Sequence, residues 1–222
     1  FVSIFITGDD GAGNDTIHGG GGDDFILGQQ GADLLFGEGG EDDITGGHNV
    51  LFGDDAADGI DGGTEHDVIL GDNGVITRRL LSGIWERYPE PFAQVISDIG
   101  RYDDIDIVQG ADLLVGGEGD DIIQGQRGDD RIFGGAGDDE LMGGLGADEL
   151  FGNEGHDFIA GDVGLFVRAF AEDGSIRLND NGAWHRDLIT EEVGVLTQLL
   201  DIGTSPNDVL ATDARDLLLN AD

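Results

Sequence analysis

Along most of this chain a single large aliphatic residue recurs at nine-residue spacing, with glycine and aspartate in between. The series runs Ile17, Ile26, Leu35, Ile44, Ile60 and Ile69, then Val108, Leu114, Ile123, Ile132, Leu141, Leu150 and Ile159. Each sits at the centre of a three-residue stretch. In extended chain alternate side chains face opposite ways, so the central residue points inward and its two neighbours outward. The pattern predicts many very short strands around a thin, dry aliphatic core, with a six-residue turn between each strand and the next.

Those turns read Gly-Gly-x-Gly-x-Asp. Gly19-Gly20-Gly21-Gly22-Asp23-Asp24 fits at every fixed position, as do the turns starting at Gly116, Gly134 and Gly143. The sixth-position aspartates of a first block, from about Asp10 to Gly71, are Asp15, Asp24, Asp33, Asp42, Asp58 and Asp67. A second block, from about Tyr102 to Gly161, carries Asp106, Asp112, Asp121, Asp130, Asp139, Asp148 and Asp157. Departures occur at Gln29-Gln30, Glu38, Asp54, Ala56 and His66, and shortened units lie at Gly46 to Phe52 and Gly110 to Val115.

Glycine permits the positive φ and the close backbone approach that so tight a turn needs. Gly20, Gly22, Gly117, Gly119, Gly135, Gly137, Gly144 and Gly146 occupy those places, and their turns are expected to aim carbonyls inward. Ca²⁺ takes six to eight oxygens from carboxylates and carbonyls in flexible geometry, whereas Mg²⁺ demands a tighter octahedron. Two turns make one coil, so turns eighteen residues apart should stack on one edge and share an ion. Asp121 then lies over Asp139, and Asp130 over Asp148, on opposite edges.

Charge strengthens this picture. The 222 residues hold 48 Asp plus Glu against 10 basic residues, all of them Arg, for a formal charge of -38. Such a chain repels itself when compact, and ten arginines cannot neutralise it. Divalent cations can. Nucleic acid needs a basic footprint, which is missing, and anionic membranes would repel the chain. There is no Cys, and no apolar run is long enough to span a bilayer. The opening Phe1-Val2-Ser3 is what a processed product or a piece of a longer protein would show.

The array resembles the RTX family, the hemolysin-type calcium-binding nonapeptide repeat, over more than half of the chain. The resemblance implies an all-β fold, a parallel β-roll (β-solenoid) with Ca²⁺ held between same-edge turns by the matching aspartates and turn carbonyls. Stacking of this kind allows on the order of 8–12 ions. It also implies a chain kept unfolded for export through a type I channel of a Gram-negative-type bacterium, then folded by external calcium.

The two blocks are separated and capped by β-rich inserts. Residues 1–79 are read as the first block with its lead-in, 80–101 as an insert or cap, and 102–164 as the second block. Residues 165–222 are read as a further insert or cap running into a degenerate third lead-in. The exits Gly71 to Arg78 and Gly161 to Arg168 share one pattern. Ala171-Glu172-Asp173-Gly174 signals a hairpin, and Trp184 to Leu200 fits strand better than helix. Trp85 and Trp184 are expected as packing residues of the inserts. Val115, Phe133 and Phe151, spaced eighteen apart, should form an outer stripe, matched by one starting at His18 and Phe36 and running on through Phe52 and Leu70. Either the inserts fold back over it or it contacts another chain.

No G-x-S-x-G, H-E-x-x-H or phosphate-binding loop occurs, and the five histidines are scattered. The chain is expected not to be an enzyme. It reads as a secreted, extracellular calcium-binding structural module of a large adhesin, matrix or filament-forming protein. The alternative is the C-terminal secretion and folding domain of a secreted hydrolase or toxin. Calcium is the expected partner, with self-association end to end or through the Phe stripe as a further one.

Overall fold

The computed structural model describes residues 13–49, 55–102, 110–162, 164–171, 173 and 175–189. Among them every regular element is a strand. Two six-stranded parallel sheets face each other. The first contains β1 (Thr16–Gly21), β3 (Leu34–Gly39), β5 (Gly59–Thr64), β11 (Leu113–Glu118), β13 (Arg131–Ala136) and β15 (Glu149–Glu154), stacked in that order. The second contains β2 (Phe25–Leu27), β4 (Asp43–Thr45), β6 (Val68–Leu70), β12 (Ile122–Arg127), β14 (Glu140–Leu145) and β16 (Phe158–Asp162), stacked likewise. The chain alternates between the sheets, one coil per two strands, so the fold is the expected parallel β-roll.

The aliphatic column fills the space between the sheets. Ile26, Leu35, Ile44, Ile60, Ile69, Leu114, Ile123, Ile132 and Leu141 form one buried cluster, with Ile17 and Leu150 packed partly against it. At about 1.5–3 kcal/mol for each buried aliphatic side chain, this column supplies most of the roll's hydrophobic stabilisation. Ile159, on the last rung, is 46% exposed. Val108 and Asp106 lie outside the described residues.

Separated along the chain, the two blocks are contiguous in space. β5 pairs in parallel with β11 (Ile60 opposite Leu114), and β6 with β12 (Ile69 opposite Ile123). The chain between them is therefore an excursion from one continuous roll. It leaves after the third position of a turn, Gly71-Asp72-Asn73, and returns at the fourth, Gly110-Ala111-Asp112. A Cβ at Gly128, the fourth position one rung on, would strike the Gly110 carbonyl. The shortened unit does the same, leaving after Gly46-Gly47-His48 and returning at Ala56-Ala57-Asp58. A Cβ at Gly110 would strike the backbone of Ala56.

The excursion does not close an end of the roll. It lies on the outer face of the second sheet. β7 (Gly74–Arg78) pairs antiparallel with β10 (Ser97–Arg101), and β8 (Leu80–Leu81) with β9 (Ile84–Trp85). Ile76 and Ile99 pack on Val68, Leu70 and Ile122, which face outward from that sheet. The second insert, β17 (Leu165–Arg168) with β18 (Arg186–Ile189), follows the same plan. Phe170 bridges to Ile176, as a hairpin requires; β18 fits the strand reading as far as residue 189, and residues 190–222 lie outside the described residues. Trp184 is fully buried, donates its indole N–H to the Ala169 carbonyl at 2.9 Å, and packs against Tyr88 and Phe92 of the first excursion.

The outer stripe belongs to the first sheet, and among the described residues the insert strands pack on the second sheet instead. The stripe's register runs His18, Phe36, Asp61, Val115, Phe133, Phe151. The continuation through Leu70 is thus wrong: Leu70 is on the second sheet and fully buried, because the shortened unit shifts the count. Phe52 lies outside the described residues. Phe133 and Phe151 stack with centroids 4.9 Å apart, and Phe151 is 42% exposed.

Candidate metal centre

The sixth-position aspartates form two columns, one per edge. On the first edge each backbone N–H donates to the Oδ1 of the aspartate one rung on. Asp24 donates to Asp42, Asp42 to Asp67, Asp67 to Asp121, Asp121 to Asp139 and Asp139 to Asp157, at 2.8–3.2 Å. On the second edge Asp15 donates to Asp33, Asp33 to Asp58, Asp58 to Asp112, Asp112 to Asp130 and Asp130 to Asp148, at 2.7–3.0 Å. The expected pairs Asp121 with Asp139 and Asp130 with Asp148 sit on opposite edges. A second ladder runs the other way at the fifth position: Asp138 N–H donates to Asp120 Oδ1, and Ala147 N–H to Asp129 Oδ1.

Each aspartate thus spends Oδ1 on the ladder, and Oδ2 is left over. The Oδ2 atoms of Asp33, Asp42, Asp58, Asp67, Asp112, Asp121, Asp130, Asp139 and Asp148 are buried with no hydrogen-bond partner. A buried charge without a partner is among the costliest features a fold can carry. Here the feature repeats at one position on every inner rung, so it is built in.

The first glycine of each turn shows where these atoms point. A Cβ added at Gly116 would strike Asp121 Oδ2 and the Gly134 carbonyl, and one at Gly125 would strike Asp130 Oδ2 and the Gly143 carbonyl. Gly28, Gly37, Gly46, Gly62, Gly71 and Gly143 repeat the arrangement with Asp33, Asp42, Asp58, Asp67, Asp112 and Asp148. A carboxylate oxygen and a carbonyl oxygen from neighbouring same-edge turns therefore converge on a cradle that only glycine leaves open. Such all-oxygen donors suit a hard cation.

Gly20, Gly22, Gly117, Gly119, Gly135, Gly137, Gly144 and Gly146 all have φ between 102° and 154°, as the tight turn demands. The carbonyls of Gly117 and Gly119 are directed at Gly135 and Gly137 one rung on, and those of Gln126 and Gly128 at Gly144 and Gly146. The first-position glycines were missed from sequence, although their signal is there. The second position admits Gln29, Glu38, Gln126 and Asn153, at φ of 75–80°, while the first is glycine in every turn from Gly19 to Gly71 and from Gly116 to Gly152 whose cradle is described.

Electrostatics agrees with the geometry. Burial pushes the carboxyls of Asp67 and Asp112 up to about 9 and that of Asp121 to about 8. The ladder N–H of the neighbouring rung opposes the rise, and adjoining aspartates add to it. Asp58 and Asp139 rise to about 7 by the same causes. The columns favour a positive ion or a proton over bare carboxylates. Among the described residues no three His, Asp or Glu side chains converge as a metal-binding group. Any site on these edges therefore draws on backbone carbonyls as well as aspartates.

Glycine-aspartate turns stacked along both edges of a parallel roll, each with a carboxylate oxygen left for a cation, define a calcium-binding repeat protein. Residues 9–44, 108–141 and 133–164 match the RTX calcium-binding nonapeptide repeat, in four copies, so the chain carries repeats of that family. No curated protein is significantly similar to it. Between the matched stretches, β5 and β6 continue the same roll.

Proposed function

We propose that this chain is an extracellular structural module, folded by Ca²⁺, of a larger adhesin, matrix or filament-forming protein. The observation that carries this reading is the pair of aspartate columns, with nine buried Oδ2 atoms facing glycine cradles. Metal-free, the columns oppose compaction; with Ca²⁺ bound, ion binding becomes folding energy. Export in the unfolded state and folding in external calcium follow from such coupling. On the order of 8–12 ions fit the stacked turns. The chain acts as a spacer rather than a catalyst, and the open stripe of Phe36, Val115, Phe133 and Phe151 is the surface it offers to neighbours.

Small-angle X-ray scattering tests the coupling. A compact chain of this length has a radius of gyration of about 17 Å, and an unfolded one about 50 Å. Calcium should move the protein from near the second value towards the first. A compact particle in chelator at neutral pH would count against the proposal.

A further inference from the structure

The insert built on β7 and β10 and the one built on β17 and β18 share one hydrogen-bond plan. In the first, Arg79 N–H donates to the Ile96 carbonyl, Glu86 N–H to that of Arg79, Ile96 N–H to that of Glu86 and Tyr88 N–H to that of Gln94, at 2.9–3.0 Å. In the second, Ala169 donates likewise to His185, Arg177 to Ala169, His185 to Arg177 and Asn179 to Ala183, at 2.8–3.1 Å. Their roots match as well. Arg78 pairs with Asp43 at the start of β4, and Arg168 with Glu140 at the start of β14. Each carboxylate stands one rung before the strand from which its insert leaves, β6 or β16.

The two inserts differ in what lies beside them. A groove runs along the root of the second insert, floored by Ile122 of β12 with Glu140 and Met142 of β14, and walled on one side by Phe166. The first insert closes its other side with Ile99 and Tyr88. Tyr88 and Phe92 also reach Trp184, with ring centroids 4.8 and 5.1 Å apart. The root of the first insert has the same groove in the same register, with Phe25 for Ile122, Asp43 for Glu140, Thr45 for Met142 and Ile76 for Phe166. Among the described residues this groove lacks its second wall. Ile122 is packed into one cluster with Ile99, whereas Phe25 is 55% exposed and Leu27, two residues on, is 39% exposed.

The rung count shows what could supply that wall. The second insert leaves three rungs after the first, from β6 through β12 and β14 to β16. In the second sheet β16 and β2 are the two outermost strands, as β15 and β1 are in the first. Were β2 of one molecule stacked on β16 of another, its β6 would again stand three rungs on, through β2 and β4. The second insert of one molecule would then lie beside the first insert of the next, just as the two inserts lie within one chain. The same step sets β1 on β15 and puts Asp24 over Asp157 and Asp15 over Asp148, so both ladders run on. Ile159, exposed at the end of the core column, would meet Ile26. Open strand edges and uncovered apolar side chains are what such stacking removes from water.

We propose that copies of this chain associate head to tail, with β1 and β2 of one on β15 and β16 of the next, and the second insert of one walling the groove over Phe25 and Leu27 of the other. The association rests on the reading of the roll as folded by Ca²⁺, since an unfolded chain has neither end. The contact joins two different surfaces, so it leaves a free end on each side and extends into open chains of molecules. It is separate from the Phe stripe, which lies on the first sheet.

Sedimentation velocity on the whole chain at saturating calcium, over a range of protein concentrations, tests this. The parent should pass from monomer to dimers and longer species as concentration rises. Phe25→Asp with Leu27→Asp blocks one end and Ile159→Asp the other, so each of these variants should stay monomeric with unchanged β circular dichroism. Mixed, they should form a one-to-one dimer and nothing longer, because each brings the end that the other lacks. Phe133→Asp, on the stripe, should associate like the parent. A folded parent that stays monomeric, blocked variants that still associate, or association lost only in Phe133→Asp would overturn head-to-tail stacking while leaving the module reading intact. A parent without β signal in calcium would overturn both. Should a blocked variant fail to fold, hydrogen exchange on the parent decides. The amides of residues 25–27 and 158–160 should gain protection as concentration rises, and no gain overturns the proposal.

Discussion

The backbone N–H of Asp67 donates to Oδ1 of Asp121 at 2.8 Å, across 54 residues of sequence. This bond sits where the two repeat blocks meet, and it has the geometry of the ladder bonds within either block. The roll therefore treats the intervening chain as a loop. Deleting residues 74–109 would join Gly71-Asp72-Asn73 to Gly110-Ala111-Asp112, a complete six-residue turn. The shortened protein should keep calcium-dependent β circular dichroism, because every ladder partner remains. It should also bind a hydrophobic dye more strongly, since Val68, Leu70 and Ile122 lose the cover of Ile76 and Ile99. Loss of the calcium response would show that the blocks do not form one roll.

The first-position glycine can be tested with a matched pair. At Gly134 a Cβ would strike Asp139 Oδ2 and the Gly152 carbonyl, whereas at Gly161 it would meet nothing within 4 Å. Gly134→Ala should therefore raise the calcium midpoint of folding, with an overpacking cost of about 1–3 kcal/mol. Gly161→Ala should leave it within error. Equal effects in the two variants would contradict the cradle.

Acid should substitute for calcium. Asp67 and Asp112 have carboxyls raised to about 9 in the fold, chiefly by burial, against about 3.9 in an unfolded chain. Between those values the folded state binds more protons than the unfolded one, so metal-free stability rises as pH falls. In chelator, β circular dichroism should be weak at pH 9 and grow towards pH 4. A signal that falls over the same range would give the opposite sign and rule out buried columns.

The inserts are locked to the roll by a different kind of contact. Glu140, on the outer face of β14, accepts from Arg168 Nε at 2.8 Å and Arg186 Nε at 2.5 Å. Burial alone would raise its carboxyl, but the two guanidiniums outweigh it and hold it down at about 2. Glu140→Ala strands two buried cations and should cost about 3–5 kcal/mol in calcium-saturated thermal or denaturant unfolding. A change below about 1 kcal/mol, the level of a surface pair, would mean that the triad is not a lock.

Much of this was legible in the chain because the repeat fixes its own register. Ile26, Leu35, Ile123 and Leu141 could be placed in the core, and Asp121 over Asp139, from nine-residue spacing alone. The pairing of β5 with β11 was not legible, since nothing local in the sequence of residues 74–109 says that the strands either side will meet. The inserts were equally opaque. β7, β10 and β17 are short and carry no period, and the outward-facing Val68, Leu70 and Glu140 of the second sheet explain where they dock.

The most direct measurement is a calcium titration of the chelated protein at neutral pH, followed by far-ultraviolet circular dichroism. If the aspartate columns are metal sites that build the roll, β signal should be weak in chelator and appear cooperatively as calcium is added. A full β spectrum in chelator, unchanged by calcium, would contradict that claim.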